Sequence, residues 1–331
     1  MSRTDYAGAV NALVDAGSIC VVTHVRPDAD AIGSATALML GLRQRGKEVR
    51  ALIGQDREIS GNLLSIPKSE EIELTQELPL GFDLYVTVDC GALDRTGYLA
   101  PGLERAREEG RLLCIDHHAS NEGFGSVNLV DVACESTTVV LIDVMDKMSL
   151  QVDRAIAHCL YAGLVTDTGS FRWGRPSMHT LAARLMRYGL DTKQIAVDLL
   201  DSTTVEDIRM LGRVFQSLSI EQAGSHSLGI LVASLDDIGG HTDSAVESLV
   251  DFVRALKGTD MGVVFKEMAP HVWAVSLRSS TVNCAEIARR MGGGGHVPAA
   301  GYTAPGTASE AVAQLVEVMS CQAAGSRGPM T

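Results

Sequence analysis

The feature that most constrains the fold of this chain is the alternation of strand-like and helical segments in its first half. The β-branched run Ser18–Thr23 is typical of a buried strand, and residues 31–44 follow it with apolar residues at helical spacing. Further strand-like runs occur at residues 47–53, 84–88 and 112–115. Strands separated by helices predict a mostly parallel sheet with helices on both faces.

The second half repeats this kind of pattern after a polar interruption at residues 189–204. The 331 residues are enough for about two domains of ordinary size. We therefore predict an α/β protein in four parts: an N-terminal domain over 1–190, a linker with a connecting helix over 191–220, a smaller α/β domain over 221–323, and a disordered tail over 324–331.

The formal net charge of -13 limits the partners of the chain. An acidic molecule repels polyanions, so we expect no long nucleic acid as a partner. The net charge does not exclude a small anionic ligand, because bound divalent metals make the electrostatic potential positive locally.

Cysteine usage and hydropathy predict the compartment. The seven cysteines are scattered, odd in number and never spaced as CxxC, which argues against a disulfide framework and a thiolate zinc site. The start MSRTDYAGAV lacks the hydrophobic segment of a signal peptide, and no apolar stretch reaches about 18 residues. We expect a reduced, cytoplasmic protein without a membrane partner.

Acidic and histidine side chains follow the predicted strands. Those that come directly after three of the strands are His24, Asp28, Asp30, Asp89, Asp116, His117 and His118. Asp167 ends a further apolar run. Ligand sites of open α/β sheets lie at the carboxyl ends of strands, so we expect these side chains to converge on one crevice.

Crowded carboxylates and imidazoles would lose their charge unless cations compensated them, so the pattern predicts two divalent metals. Carboxylate-rich ligation suits Mn²⁺ or Mg²⁺, and the histidines favour Mn²⁺. The alternative is ordinary capping, since Asp28 and Asp30 could cap the helix that begins near Ala31. Capping does not explain why His24 and His117 stand at separate strand ends.

Several separated motifs extend this pattern over nearly the whole chain. They are THVRPDADAIGS, VTVDCGA, IDHHASN and GLVTDTGSF, followed by LRSS and GGGGHVPAAG. With them the chain resembles the DHH/DHHA1 phosphoesterases, named for the triplet Asp116, His117 and His118. Size and layout resemble the stand-alone nanoRNase and pAp-phosphatase group. The resemblance implies a DHH catalytic domain joined by the linker to a DHHA1 substrate-binding domain.

The resemblance also implies roles for the residues of the crevice. One metal would be held by His24, Asp28 and Asp89. The other would be held by Asp30, Asp89, His117 and Asp167, so that Asp89 bridges the two ions. Asp89, Asp116 and His118 are the predicted catalytic residues. His118 would donate a proton or a hydrogen bond, or only support a neighbouring ligand, and Asp116 would orient His117 or the loop.

The C-terminal motifs are predicted to bind the substrate. The residues concerned are Arg278, Ser279, Gly293, Gly294, Gly295 and His296. Arginine offers a bidentate fork for phosphate, and glycines let backbone amides approach a ligand. The alternative is that the glycines form only a flexible hairpin. Trp173, near Asp167, could stack on a base or fill the core.

The resemblance implies a hydrolase with two Mn²⁺ ions, Mg²⁺ being the alternative. It would cleave short oligoribonucleotides (nanoRNA) to mononucleotides and 3′-phosphoadenosine 5′-phosphate (pAp) to AMP, and it would act as a homodimer. Two other functions stay open. One is a cyclic di-AMP or pApA phosphodiesterase, and the other is a non-catalytic nucleotide sensor.

Overall fold

The computed structural model describes residues 4–201, 203–241 and 243–325. The chain divides into two units, Met1–Ser202 and Thr203–Thr331. Among the described residues, no helix is both long and apolar enough to cross a membrane.

The first unit combines six strands with helices that lie between them in the chain. Its strands are β1 (Ser18–Thr23), β2 (Glu48–Ile53), β3 (Glu73–Leu74), β4 (Leu84–Val88), β5 (Leu112–Asp116) and β6 (Val127–Val130). Its α-helices are α1 (Tyr6–Asp15), α2 (Ala29–Arg43), α3 (Ala100–Glu108), α4 (Thr137–Lys147), α5 (Arg154–Asp167), α6 (Ser177–Met186) and α7 (Thr192–Leu200). Short 3₁₀ helices occupy Gly61–Ser65, Ser69–Glu71 and Leu93–Leu99.

The six strands form one sheet in the order β3-β2-β1-β4-β5-β6. All of its neighbouring strands pair in parallel. The predicted α/β class and parallel sheet are therefore confirmed. The strand order reverses between β1 and β4, and this switch point opens a crevice at the carboxyl ends of the two strands.

The sheet is covered on both faces, which explains its continuous apolar strands. Ile19 and Val21 of β1 pack into a core with α2, α4 and α5. The alternate residues Cys20 and Val22 pack on the other face, with α3 residues such as Leu103. The buried central strands thus fix the positions of the loops that follow β1, β4 and β5.

The second unit is the smaller one and is built around a mixed sheet. Its strands are β7 (Ser219–Ala223), β8 (His226–Ala233), β9 (Met261–Ala269), β10 (Val272–Arg278), β11 (Gly294–Gly295) and β12 (Ala299–Pro305). Its helices are α8 (Val205–Phe215), α9 (Leu235–Ile238), α10 (Asp243–Arg254), α11 (Cys284–Arg290) and α12 (Ala308–Gly325). The strand order is β11-β12-β10-β9-β8-β7. Strands β8 and β9 are parallel, and the other pairs are antiparallel.

Two details differ from the sequence pattern. The polar segment predicted as linker contains a helix, α7, whose N-cap Asp191 accepts a hydrogen bond from the amide of Gln194. Helix α12 continues to Gly325, so the first two residues of the predicted tail are helical, and residues 326–331 lie outside the described part of the chain. Six cysteines whose side chains are described are buried free thiols, as their scatter predicted.

Candidate metal centre

His24 stands directly after β1 and is almost fully buried. Its Nδ1 lies 3.0 Å from the carbonyl oxygen of Val25, which places the ring proton on Nδ1. In the neutral ring Nε2 then presents a lone pair, and this atom lies 3.5 Å from Asp89 Oδ2 and 3.9 Å from Asp28 Oδ2. This tautomer is the one that a metal ligand needs.

Asp28 has two roles in the structure. Its Oδ1 caps helix α2 by accepting hydrogen bonds from the amides of Asp30 and Ala31. Its Oδ2 is the atom that faces His24. The capping alternative is therefore correct for Asp28, but it leaves one carboxylate oxygen directed at the crevice.

Asp30 caps a different helix from the one in which it lies. Its side chain is fully buried and accepts hydrogen bonds from the amides of Thr137 (2.6 Å) and Thr138 (2.9 Å) at the start of α4. Its Oδ2 lies 3.9 Å from His117 Nε2. The positive end of the α4 dipole thus supports a carboxylate 107 residues earlier in the chain.

Asp89 lies at the centre of the cluster, after β4, and is buried. Its Oδ2 faces His24 Nε2 at 3.5 Å, and its Oδ1 faces His117 Nε2 at 3.6 Å. The hydroxyl of Thr137 donates to the same Oδ1 at 2.8 Å. The two oxygens of one carboxylate therefore point at two different imidazoles.

His117 follows β5 and faces Asp167, the last residue of α5. Its Nε2 lies 3.3 Å from Asp167 Oδ2. Three buried groups, Asp30, Asp89 and His117, offer ligand atoms within 4.8 Å of one another, and so do His24, Asp28 and Asp89. The structure thus brings together all six side chains that the sequence predicted as ligands.

Asp116 contacts a different histidine from the one proposed above. Its Oδ1 lies 2.8 Å from Nδ1 of His118, and the side-chain amide Nδ2 of Asn121 donates to its Oδ2 at 2.7 Å. Of the two predicted roles of Asp116, orienting His117 or the loop, its contacts with His118 and Asn121 agree with the second.

The pKa values in the cluster follow from burial and crowded charge. Burial and the nearby charge of Asp89 raise the pKa of Asp30, and burial raises the pKa of Asp167 to about 6. Burial also opposes ionisation of Asp89, but three histidines outweigh it and hold its pKa below the usual range. Burial lowers the pKa of His117, yet the neighbouring carboxylates raise it overall. These directions reflect carboxylates that crowd one another and the histidines in a buried cluster.

Divalent cations fit this donor set better than protons do. The imidazole nitrogens lie 3.3 to 3.9 Å from the carboxylate oxygens, which is longer than a good N–H···O hydrogen bond. Two atoms that each bind one ion at about 2.1 Å lie about 3.0–3.4 Å apart, depending on the bond angle. The distance between His117 Nε2 and Asp167 Oδ2 lies in this range, and the other four distances exceed it by 0.1 to 0.5 Å, so small movements would bring the side chains around an ion.

The predicted substrate-binding residues lie together in the second unit. Arg278 at the end of β10 pairs with Ala299, and the amide of His296 donates to the Ala299 carbonyl at 2.7 Å. The hydroxyl of Ser279 donates to the Asp260 carbonyl and accepts from the amide of Val282. The Ser279 side chain is thus already used in a local turn. Substrate contact by these residues stays a prediction.

The glycine run has a structural role of its own. Gly294–Gly295 form β11, which pairs with β12, so these two glycines belong to a β-hairpin. A Cβ on Gly293 would lie 2.1 Å from the Gly301 carbonyl oxygen, and Gly295 has a φ of 133°. Only glycine fits these two positions.

The sequence did not predict the residues that donate hydrogen bonds to the proposed ligands and to Asp116. Thr137 and Thr138 stand at the start of a helix and carry no signal for this role in the sequence. Asn121 belongs to the IDHHASN motif, and that membership was the only sequence signal for it.

Models of two protein domains match parts of both units of the chain. The model of the DHH family N-terminal domain matches residues 18–164, and that of the DHHA1 domain matches residues 227–323. The bifunctional oligoribonuclease and PAP phosphatase NrnA of Thermus thermophilus is 32% identical over 296 residues, which cover 88% of this chain and 85% of that protein. The protein of the same name from Bacillus subtilis is 27% identical over 290 residues, or 86% and 88% of the two chains.

Among solved structures, an exopolyphosphatase-related protein from Bacteroides fragilis superposes with a TM-score of 0.82 at 22% identity, over 96% of this chain and 97% of that one. This likeness shows a shared fold. The chain belongs to the DHH family of phosphoesterases whose members carry a DHHA1 domain. The predicted family and its enzyme class, phosphoester hydrolases, are confirmed, as is the predicted similarity to the nanoRNase and pAp-phosphatase group.

Proposed function

We propose that this protein uses two divalent metal ions, Mn²⁺ in the first place, to hydrolyse short oligoribonucleotides to mononucleotides and pAp to AMP. Similarity over nearly the full length to relatives named for both activities supports the substrates. The observation that carries the two-metal proposal is the position of Asp89 between His24 and His117.

A carboxylate that directs each oxygen at a separate imidazole is placed to bridge two ions. His24 and Asp28 complete one set of ligands around Asp89 Oδ2. The other set lies around Asp89 Oδ1, where Nε2 of His117 also faces Asp30 and Asp167. This division agrees with the one that the family resemblance implies.

When bound, divalent ions would supply a water nucleophile at neutral pH and neutralise charge on the phosphoryl oxygens. The chain itself holds the ligands in place. Thr137 fixes one oxygen of Asp89, and the amides of Thr137 and Thr138 fix Asp30. These contacts reduce the reorganisation that ligand binding requires.

His118 is placed to handle the proton of the reaction. As the water oxygen bonds to phosphorus, the bond from phosphorus to the leaving nucleoside oxygen breaks, and that oxygen needs a proton. Burial lowers the pKa of His118, but the charge of Asp116 and the hydrogen bond to it raise the pKa overall. A protonated His118, held through Nδ1, can donate through Nε2.

A substrate panel tests the proposed function. Purified protein with Mn²⁺ receives a 5′-labelled dinucleotide, pAp, pApA and cyclic di-AMP. We expect mononucleotides from the dinucleotide and phosphate from pAp. Absence of both products would refute the proposal, and preferred turnover of cyclic di-AMP would replace it with the second-messenger alternative.

Two variants separate metal binding from proton transfer. Asp89→Asn should lose both activity and Mn²⁺ binding, whereas His118→Gln should bind Mn²⁺ normally and lose about 10²–10⁴-fold in kcat. Asp56→Asn removes an exposed carboxylate and is the matched control for charge. Full activity of Asp89→Asn would contradict the bridging role.

A further inference from the structure

The loop that follows Asp167 has a left-handed backbone that hydrogen bonds hold in place. Gly169, Ser170 and Phe171 have φ values of 54°, 60° and 63°, in the left-handed region. This conformation costs about 1–2 kcal/mol at each non-glycine residue. Such strain persists only where the surroundings hold it, and it concentrates at functional sites.

Thr168 holds this left-handed turn. Its buried hydroxyl donates to the Leu164 carbonyl at 2.6 Å and accepts from the amide of Phe171 at 3.1 Å. Its carbonyl oxygen accepts from the amides of Arg172 (2.9 Å) and Trp173 (3.3 Å). The position of Trp173 is therefore set by the end of helix α5.

The turn fixes the indole of Trp173 beside the metal centre. Indole Nε1 donates to the main-chain oxygen of Asp167 at 2.7 Å. The ring lies against Gly169, where an added Cβ would stand 2.1 Å from a ring carbon. Asp167, to which the ring is anchored, is one of the proposed metal ligands.

Trp173 is nevertheless 42% exposed as a residue, so its side chain does not fill the core. The other tryptophan, Trp273, shows the contrast: it is 4% exposed and packs in the core of the second unit. The guanidinium of Arg172 lies 5.1 Å from the centroid of the Trp173 ring, and its Nε donates to the Gly169 carbonyl. An exposed aromatic surface with an adjacent cation is thus built into a strained turn.

We propose that Trp173 is the stacking platform for a nucleobase of the substrate and so determines a preference for nucleotides over simple phosphate esters. Every base has a π-face, and stacking on an aromatic side chain tolerates any sequence. A base next to the phosphate being cleaved lies within reach of a ring anchored to Asp167. This inference rests on the proposed function.

Fluorescence tests the platform without turnover. The chain contains two tryptophans, so the Trp173→Phe variant reports Trp273 alone. With Mg²⁺ present throughout, AMP should quench the wild-type emission, and ribose 5-phosphate, which differs by the missing base, should not. The AMP quench should disappear in Trp173→Phe. Equal quenching by the two ligands, or an undiminished quench in the variant, would overturn the proposal.

Kinetics give the second test, with pAp compared with ribose 3,5-bisphosphate. The ratio of kcat/KM for pAp to that for the base-free compound should fall about 5- to 150-fold in Trp173→Ala, mainly through KM. Trp173→Phe, which keeps a ring but loses the bond to Asp167, should restore most of the ratio. Tyr188→Ala, which removes another exposed ring, should leave the ratio unchanged.

These experiments distinguish a failure of the stacking role of Trp173 from a failure of the proposed function. If Trp173→Ala lowered kcat/KM equally for pAp and for ribose 3,5-bisphosphate, the indole would only support Asp167. That result would refute the stacking platform and leave the proposed function intact. A wild-type protein that cleaves neither pAp nor a dinucleotide would refute the proposed function. The AMP titration still decides on stacking in that case.

Discussion

At the scale of single residues, the centre depends on how Asp89 is held. Its backbone has a φ of 59°, a conformation that aspartate tolerates better than most residues. Its carboxylate is buried and faces both His24 and His117. The only hydroxyl that the described residues direct at it belongs to Thr137, at 2.8 Å. This hydroxyl sets the rotation of the carboxylate.

The first prediction concerns that hydroxyl. Thr137→Val keeps the shape of the side chain but removes the donor, so Asp89 should turn more freely. We expect Mn²⁺ affinity to fall about 10–100-fold, as measured by isothermal titration calorimetry. Thr137→Ser retains the hydroxyl and should bind Mn²⁺ nearly as the wild type does. Equal affinity of Thr137→Val and the wild type would show that the contact is incidental.

At the scale of elements, the glycine hairpin gives a prediction about packing. Gly293→Ala would place a methyl group 2.1 Å from the Gly301 carbonyl oxygen. We expect the free energy of unfolding to fall by about 1–3 kcal/mol or more in urea titrations.

Gly212 in helix α8 is the matched control, because an added Cβ there meets nothing within 4 Å. Gly212→Ala should raise the free energy of unfolding by about 0.4–1 kcal/mol. If both variants changed stability in the same direction, the packing argument for β11 and β12 would be wrong.

The Glu135–Arg175 ion pair ties the loop after α5 to the start of α4. The amide and guanidinium of Arg175 donate to the Glu135 carboxylate at 2.8 to 3.0 Å. Burial opposes ionisation of Glu135, but these bonds outweigh it and lower its pKa. The ionised Glu135 therefore stabilises the fold at pH values above its pKa in the unfolded chain. This stabilisation is lost as the pH falls through its pKa in the folded protein.

We therefore expect a pH-dependent difference between the wild type and Glu135→Gln. At pH 7 the wild type should be more stable by about 1–2 kcal/mol, and the difference should shrink below about pH 4. Urea titrations over this range measure it. A difference that stayed constant down to pH 3 would mean that the charge of Glu135 is not responsible.

The elements differ in how well the sequence predicts them. Strands β1 and β4 were predicted within a residue because each is a continuous apolar, β-branched run. Strand β12 was missed, since its sequence AAGYTAP combines small residues with proline, and pairing with β10 decides its structure. Strand β7 was missed as well, since SIEQA contains a single β-branched residue, and pairing with β8 decides its structure.

The same limit applies to the centre. Its six predicted ligands follow strands or a helix, where the fold class alone brings them together. The contacts from Thr137 and Thr138 could not be predicted, because they join residues 48 to 108 positions apart through backbone amides and a hydroxyl.

At the scale of the whole molecule, the net charge of -13 makes a prediction about substrate length. An acidic surface repels a long polyanion, whereas a dinucleotide needs only the local positive charge of the metal centre. We expect kcat/KM in 0.1 M salt to be highest for RNA of two to five nucleotides and to fall for a 20-mer. Faster cleavage of the 20-mer would require a basic track and would contradict this account.

Light scattering of the purified protein tests the predicted homodimer separately.

The most direct test of the central claim is an anomalous difference map from crystals grown with Mn²⁺. We predict two peaks about 3.5–4 Å apart. Each peak should lie about 2.0–2.3 Å from a carboxylate oxygen of Asp89, Oδ2 for the first ion and Oδ1 for the second. His24 should bind only the first ion, and His117 only the second. A single peak, or a pair of peaks that Asp89 does not join, would contradict the account.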